Sequence, residues 1–361
     1  MEKKILYKIL NSAIKAPSGN NLQNWKIKLM QKNEGFVLSI NPFYKKFFDA
    51  RGIASYFSCG CFLKNIEITA LKYGHGTKIK TYSDGSSLNV AKVIFFMERK
   101  GNSGLYSEIE KRFTCRTPYN KKELPAEFYK DVEKLYFKFK GLKIFFIKRG
   151  DNIFKKIVDI LYKTETVRMF NKSAMVSTSA AVRHSSREVF ETKDGLDYRL
   201  LGIPIFQKQV AKMIFNWNFL RFLKKMKINL LSYISSKRLL NTSTGIGCVF
   251  IKNTSSKSII EAGMFFQELW LILTKYEGYL QPFATLPFFN LKIEYKDVSG
   301  FDNKEINRLR NLKNRLFSIL EINKGKKLIM VYRYGVAKKN PKFLSMRKDL
   351  KESLVKSNFP E

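Results

Sequence analysis

The stretch Ala16-Pro17-Ser18-Gly19-Asn20-Asn21-Leu22-Gln23-Asn24-Trp25 constrains this chain more than any other. Ahead of it, Ile5, Leu6, Ile9, Leu10, Ala13 and Ile14 recur at helical spacing, and Lys3, Lys8 and Lys15 are left for water. Pro17 ends that helix, because its ring fixes φ and removes a backbone donor. Gly19 leaves room for a ligand to approach the backbone, and Ser18, Asn20 and Asn21 add short polar groups. Such a loop suits a flat, polar-edged cofactor. The same residues also suit a helix-to-strand connection in which Gly and Asn only make the turn.

Beyond Trp25 the chain alternates short apolar runs with helical patterns. Residues 35–40, 92–98, 143–148, 247–252 and 328–335 read as strands. Residues 58–74 read as a helix that opens on Ser58-Cys59-Gly60-Cys61, small residues that let another helix approach closely. Glu261-Ala262-Gly263-Met264-Phe265-Phe266 repeats that layout, and each copy runs on to an aromatic residue and a glycine about fourteen or fifteen residues after its first glycine. Gly101-Asn102-Ser103-Gly104 is a flexible joint between the copies. The pattern amounts to a degenerate internal repeat.

With 45% hydrophobic residues and 14% aromatics over 361 positions, the chain can bury a sizeable core. No stretch approaches the roughly 18 uninterrupted apolar residues that a membrane span needs. Lys8, Asn11 and Lys15 break the apolar N-terminal run, so no signal peptide is read and a cytoplasmic protein is expected. Cys59, Cys61, Cys115 and Cys248 are too scattered for a disulfide scaffold, and with only His75 and His184 to complete a ligand set, no metal site is expected. The net charge of +37 attracts polyanions, yet no helix-turn-helix, zinc-finger or RNP pattern accompanies it, so no specific nucleic-acid partner is expected. Residues 213–240 mix Phe215, Trp217, Phe219 and Phe222 with Arg221, Lys224, Lys225 and Lys227, which fits either a helix on an anionic membrane surface or a packed helix with snorkelling lysines.

The 16–25 stretch resembles the Ala-Pro-Ser-Ser/Gly-x-Asn-x-Gln-Pro-Trp signature of the nitroreductase family of FMN-binding flavoproteins, with Asn24 standing where that family usually has proline. Arg112-Phe113-Thr114-Cys115-Arg116, Leu124-Pro125 and the C-terminal Tyr334-Gly335, Pro341 and Ser345-Met346-Arg347-Lys348 resemble the family's opening and closing segments. The resemblance implies an α+β nitroreductase-like fold, internally duplicated, with central mixed or antiparallel sheets flanked by helices. Residues 1–100 would form the first half, 101–107 a linker and 108–361 the second half. Residues 161–204, with Arg183-His184-Ser185-Ser186-Arg187, Gly195-Leu196 and Gly202-Ile203-Pro204, resemble the lid of the Acg-like branch, single-chain pseudo-dimers that cover their flavin. His184 would then be a packing or hydrogen-bonding residue of that lid.

Family members take one set of flavin ligands from each half of a dimer. Here the first half keeps the Pro17-Ser18-Gly19-Asn20 loop and the second keeps Arg112, Thr114 and Arg116. The implication is one FMN site between the halves of a monomer. Alternating residues in extended backbone point the same way, so these two arginines and Thr114 can converge on an anion. The resemblance assigns Arg112, Thr114 and Arg347 to the FMN phosphate, with Lys348 a weaker candidate, and Arg116 to the pyrimidine edge. It places a backbone amide of Gln281-Pro282-Phe283-Ala284-Thr285, at Ala284 or Thr285, by the reactive flavin nitrogen. No catalytic side chain is required, since the flavin carries the redox chemistry. Two activities are compatible with this: electron transfer from NAD(P)H to a small nitro, quinone or similar acceptor, and FMN storage under a closed lid.

Overall fold

The computed structural model describes residues 1–41, 47–82, 88–99, 101, 104–120, 122–202, 216–225, 230–323, 325–338 and 343–355. Asn102, Ser103, Ile203, Pro204, residues 213–215, Lys227 and Pro341 lie outside them.

The first half begins with α1 (Lys3–Ala13), whose Leu6, Ile9, Leu10 and Ala13 are buried as their spacing predicts. After the Pro17 loop come β1 (Trp25–Leu29), β2 (Gly35–Ile40), the 20-residue helix α2 (Ile53–Lys72), β3 (His75–Thr81) and β4 (Asn89–Met97). These strands form an antiparallel sheet in the order β1-β2-β4-β3. Trp25 and Ile27 of β1 alternate with outward-facing lysines, so one face of the sheet packs on α2 and the other meets water.

The second half opens with a single turn, α3 (Glu108–Lys111), an extended segment, α4 (Ala126–Lys138) and β5 (Lys143–Lys148). A long excursion comes next: α5 (Phe154–Phe170), α6 (Lys172–Ser179), β6 (Val182–Arg183), α7 (Ser186–Thr192), β7 (Leu196–Asp197), α8 (Trp217–Lys225) and α9 (Leu230–Asn241). The chain then makes β8 (Gly245–Ile251), α10 (Ser256–Lys275), β9 (Gly278–Pro282), α11 (Thr285–Glu294), α12 (Asn303–Ile319), β10 (Lys327–Val336) and α13 (Leu350–Ser353). The second sheet runs β5-β8-β10-β9, also antiparallel. Numbered within its own half, each sheet therefore has the order first-second-fourth-third. A 20-residue helix joins the second strand to the third in both.

β8 and most of β10 are buried on both faces, because α5, α11 and α12 cover the side that the first sheet leaves open. The excursion accounts for that difference. It spans the whole interval between β5 and β8, whereas the expected insertion at 161–204 starts inside α5. Phe154, Ile157, Ile160 and Leu161 of that helix pack on Ile246, Cys248 and Val331 as part of the core.

The centre of the molecule is the crossing of α2 with α10. A Cβ on Gly60 would lie 2.2 Å from the carbonyl oxygen of Ile260, and one on Gly263 would lie 2.1 Å from that of Phe57, three residues before Gly60. Each glycine thus accepts the other helix's backbone. One hydrophobic cluster runs from Leu6, Trp25 and Phe36 through this crossing to Val249, Tyr332 and Tyr334.

Candidate functional site

α1 ends after Ala13, and the loop beyond it is shaped by residues other than its glycine. Asn20, Asn21 and Gln23 have φ of 51°, 56° and 52°, the left-handed region that asparagine tolerates better than most residues. Gly19 is outside that region, and a Cβ there would meet nothing within 4 Å. Neither turn geometry nor packing requires glycine at position 19. The Ser18 hydroxyl closes the loop by accepting from the Gln23 amide at 3.0 Å. Asn24 is buried and donates to Ser55 near the start of α2, a tie that proline could not make.

Two arginines meet behind this loop. Arg112, at the end of α3, donates from Nη2 to the Lys15 carbonyl at 2.8 Å, and its guanidinium lies 4.6 Å from the Trp270 ring centre. Arg347 arrives on the C-terminal tail, which leaves β10 and crosses to the first sheet, where Leu354 pairs beside Ile27. It donates to the carbonyls of Ser345 and Met346 and, at 3.4 Å, to the same Lys15 carbonyl.

Neither arginine has a carboxylate partner among the described residues. The Nε of each is buried with no hydrogen-bond partner, and so is Oδ1 of Asn21, whose Nδ2 donates to Met346. Burial, with Arg347 alongside, pushes Arg112 down to about 9, and burial pushes Arg347 down to about 10. Both remain cationic at neutral pH, so the strain is carried as uncompensated buried charge. An anion such as phosphate would satisfy both forks. The donor set therefore fits a phosphate group at this place.

Thr114 pairs beside Leu280 of β9, two residues after Arg112 ends α3. Arg116, however, donates to the Leu200 carbonyl at 3.5 Å and shares no acceptor with Arg112. Burial pushes it down to about 10, with Arg333 nearby adding to the effect. Thr285 is the first residue of α11, and its hydroxyl donates to Glu165 of α5 at 2.5 Å. Ala284 is the N-cap residue of the same helix. Lys348 is committed elsewhere: its ammonium pairs with Asp194 at 3.1 Å and its amide donates to Gln23.

The segment around α7 rests on the loop and the tail. Gln23 donates to the Lys193 carbonyl at 2.9 Å, and the Gly195 amide donates to that of Asn21 at 3.3 Å. Lys193 pairs with Asp349, and Asp194 bridges Lys348 and Arg183. His184 belongs to this segment, its amide donating to Glu188. The segment thus contacts the loop at Asn21 and Gln23, and the arginines contact it at Lys15.

Arg333 was not anticipated from the sequence. It is fully buried in β10, stacks 4.1 Å from the Tyr119 ring centre, and donates to Gln281 and to the carbonyls of Leu239, Cys115 and Thr117. It thereby holds the Arg112–Arg116 segment against the second sheet. The available signal was one charge inside the apolar run from Leu328 to Val336.

All four cysteines are free and buried. Among the described residues no group of three or more His, Cys, Asp or Glu is placed to hold a metal ion, and no helix is long and apolar enough to cross a membrane. α8 packs against α5 and α6 with Leu220 buried and Phe222 exposed.

No protein-family model matches the chain, and no curated protein does. Among solved structures, it is similar to the FMN-dependent nitroreductase NfnB of Mycobacterium smegmatis in complex with NADPH, at 14% identity and a TM-score of 0.38, covering 72% of this chain and 100% of that one. It is similar to NfnB, an FMN- and NADPH-dependent nitroreductase of sphigopyxis sp. strain HMH, at 8% identity and a TM-score of 0.41, covering 71% and 99%. A putative nitroreductase of Anabaena variabilis matches at 10% identity and a TM-score of 0.45, over 94% of this chain and 74% of that one.

Proposed function

We propose that the chain binds one FMN between its two halves and works as an oxidoreductase that passes electrons from NAD(P)H to a small nitro, quinone or similar acceptor. The observation that carries this is the pair of Arg112, buried, and Arg347, half-buried, beside the Pro17–Asn20 loop, with no carboxylate partner among the described residues and with orphaned Nε atoms. FMN would supply the redox chemistry. Arg112 and Arg347 hold its phosphate, and Ser18, Gly19 and Asn20 offer short groups and an open approach. Thr114 lines the strand between the arginines, Arg116 takes the pyrimidine edge, and the backbone at Ala284 and Thr285 faces the reactive ring. Each half contributes what the other lacks. The matching strand orders and the reciprocal Gly60 and Gly263 contact support reading the chain as an internally duplicated, monomeric pseudo-dimer, with 1–100 and 108–361 as its halves.

A second reading, FMN storage with little turnover, is favoured by the contacts of Lys193, Asp194 and Gly195 with the loop and tail. Anaerobic addition of NADH or NADPH to the FMN-loaded protein separates the two. Rapid bleaching of the flavin band marks an oxidoreductase. A flavin that resists both nucleotides while dithionite reduces it marks storage.

A further inference from the structure

Helix α12 has two polar flanks that are treated differently. On one, Lys313 pairs with Glu294, which also receives Lys327, so the charge there is neutralised locally. On the other, Lys304, Asn307, Arg308, Asn311 and Arg315 line an open groove of about 520 Å³ whose far wall includes Lys163 of α5. These positions occur at helical spacing along roughly 16 Å of the axis. The only carboxylate paired with a cation of the lining, among the described residues, is Asp159. It takes Lys163 at 2.8 Å and Arg315 at 3.3 Å. Lys304 and Arg308 are exposed and have no carboxylate partner among the described residues.

We propose that this groove binds a nucleic-acid phosphate backbone without reading its sequence. Arginine forks and lysine ammonium groups take phosphate oxygens, and the two asparagine amides add donors that suit a phosphodiester or a base edge. The excess charge of +37 draws a polyanion in, and the groove decides where it settles. An anionic membrane fits less well, because none of the exposed large hydrophobic residues is on α5 or α12. The helix itself is anchored by Ile306, Leu309, Leu312 and Leu316 on its buried face and by the Asp302–Glu305 capping box, so its polar face is a rigid platform.

The test is fluorescence anisotropy of a short, labelled, mixed-sequence single-stranded oligonucleotide across a salt series, using the full chain. The variant Lys304→Glu/Arg308→Glu/Arg315→Glu should bind at least tenfold more weakly, with the slope of log K against log salt reduced by about 2, as expected for three lost phosphate contacts on a single strand. The control Lys28→Glu/Lys78→Glu/Lys80→Glu changes net charge equally at exposed positions of the first sheet and should bind within about twofold of wild type. A milder variant, Lys304→Gln/Arg308→Gln, guards against misfolding and should fall between them. Equal losses in the two triple variants would mean that bulk charge alone is responsible. Anionic phosphatidylserine vesicles competing the oligonucleotide off the wild type but not off the groove variant would assign the groove to lipid. Either result, or no oligonucleotide binding by the wild type, overturns the proposal.

Discussion

Arg112 and Arg347 both reach for the carbonyl of Lys15, at 2.8 and 3.4 Å, and each leaves an Nε buried without a partner. Two like charges held together in this way destabilise the fold until an anion arrives. Inorganic phosphate should therefore raise the melting temperature of the flavin-free protein by a few degrees more than chloride does at equal ionic strength, the size expected for a ligand well above its dissociation constant. In Arg112→Met that difference should vanish, while the melting temperature without phosphate should not fall. Arg112→Ala should weaken FMN binding at least tenfold, the loss expected for one charge-assisted pair. Lys225→Ala, on α8, should leave it unchanged. Equal FMN affinity in wild type and Arg112→Ala would contradict the site. At this scale Arg112, Arg347 and the Ser18–Asn20 loop were legible, because each sits in a motif of short range. Asn21, Gln23 and the Lys15 carbonyl were not, since their roles depend on the tail crossing back from β10, a contact that spans more than three hundred residues. Alternation alone gave Arg116 the same direction as Arg112, but its acceptor, the Leu200 carbonyl, lies 84 residues on in the chain and is not visible in the motif.

Among the elements, α2 and α10 carry the most readable signal and the sharpest constraint. Gly60 and Gly263 were visible as paired small-residue helices, although α2 begins at Ile53, earlier than Ser58, because Asp49 caps it by accepting from the amides of Ala54 and Ser55. Lys64 with Glu268 and Asn65 with Gln267 bridge the same crossing, one pair charged and one neutral. Gly263→Ala places a methyl 2.1 Å from the Phe57 carbonyl oxygen and should cost about 1–3 kcal/mol, read as a lowered midpoint in urea. An unchanged midpoint would mean the helices can separate freely. β3 and β9 escaped the sequence reading. His75-Gly-Thr-Lys-Ile-Lys-Thr81 is an edge strand whose lysines and glycine mask the alternation, and Gly278–Pro282 is short and ends in proline. The segment around α7 was legible only by resemblance, since its ties join residues far apart in the chain: the Gln23 side chain and the Gly195 amide tie it to the loop, and Lys193 and Asp194 tie it to the tail. Asp194→Asn should weaken the bridge to both Lys348 and Arg183 and speed FMN release about tenfold, measured by stopped-flow trapping of free flavin. No change in the release rate would show that the segment does not retain the ligand.

At the scale of the molecule, one hydrophobic cluster joins the two sheets through the α2 and α10 crossing and holds nearly all of the first half's buried apolar residues, so that half has no core of its own. The whole chain should unfold with its two halves together, and residues 1–104 expressed alone should fail to give a cooperative melt. The family resemblance made an α+β layout with antiparallel sheets flanked by helices readable from the sequence. The excursion from β5 to β8 was not, because α5 belongs to the second sheet's core and, among the described residues, it is the α7 segment further along that contacts the loop. The proposed single flavin phosphate site between the two halves is tested by titrating the flavin-free protein with FMN and following the quenching of flavin fluorescence. Saturable binding of one FMN per chain, competed by inorganic phosphate, is expected. No saturable binding, or two equivalent sites per chain, would contradict it.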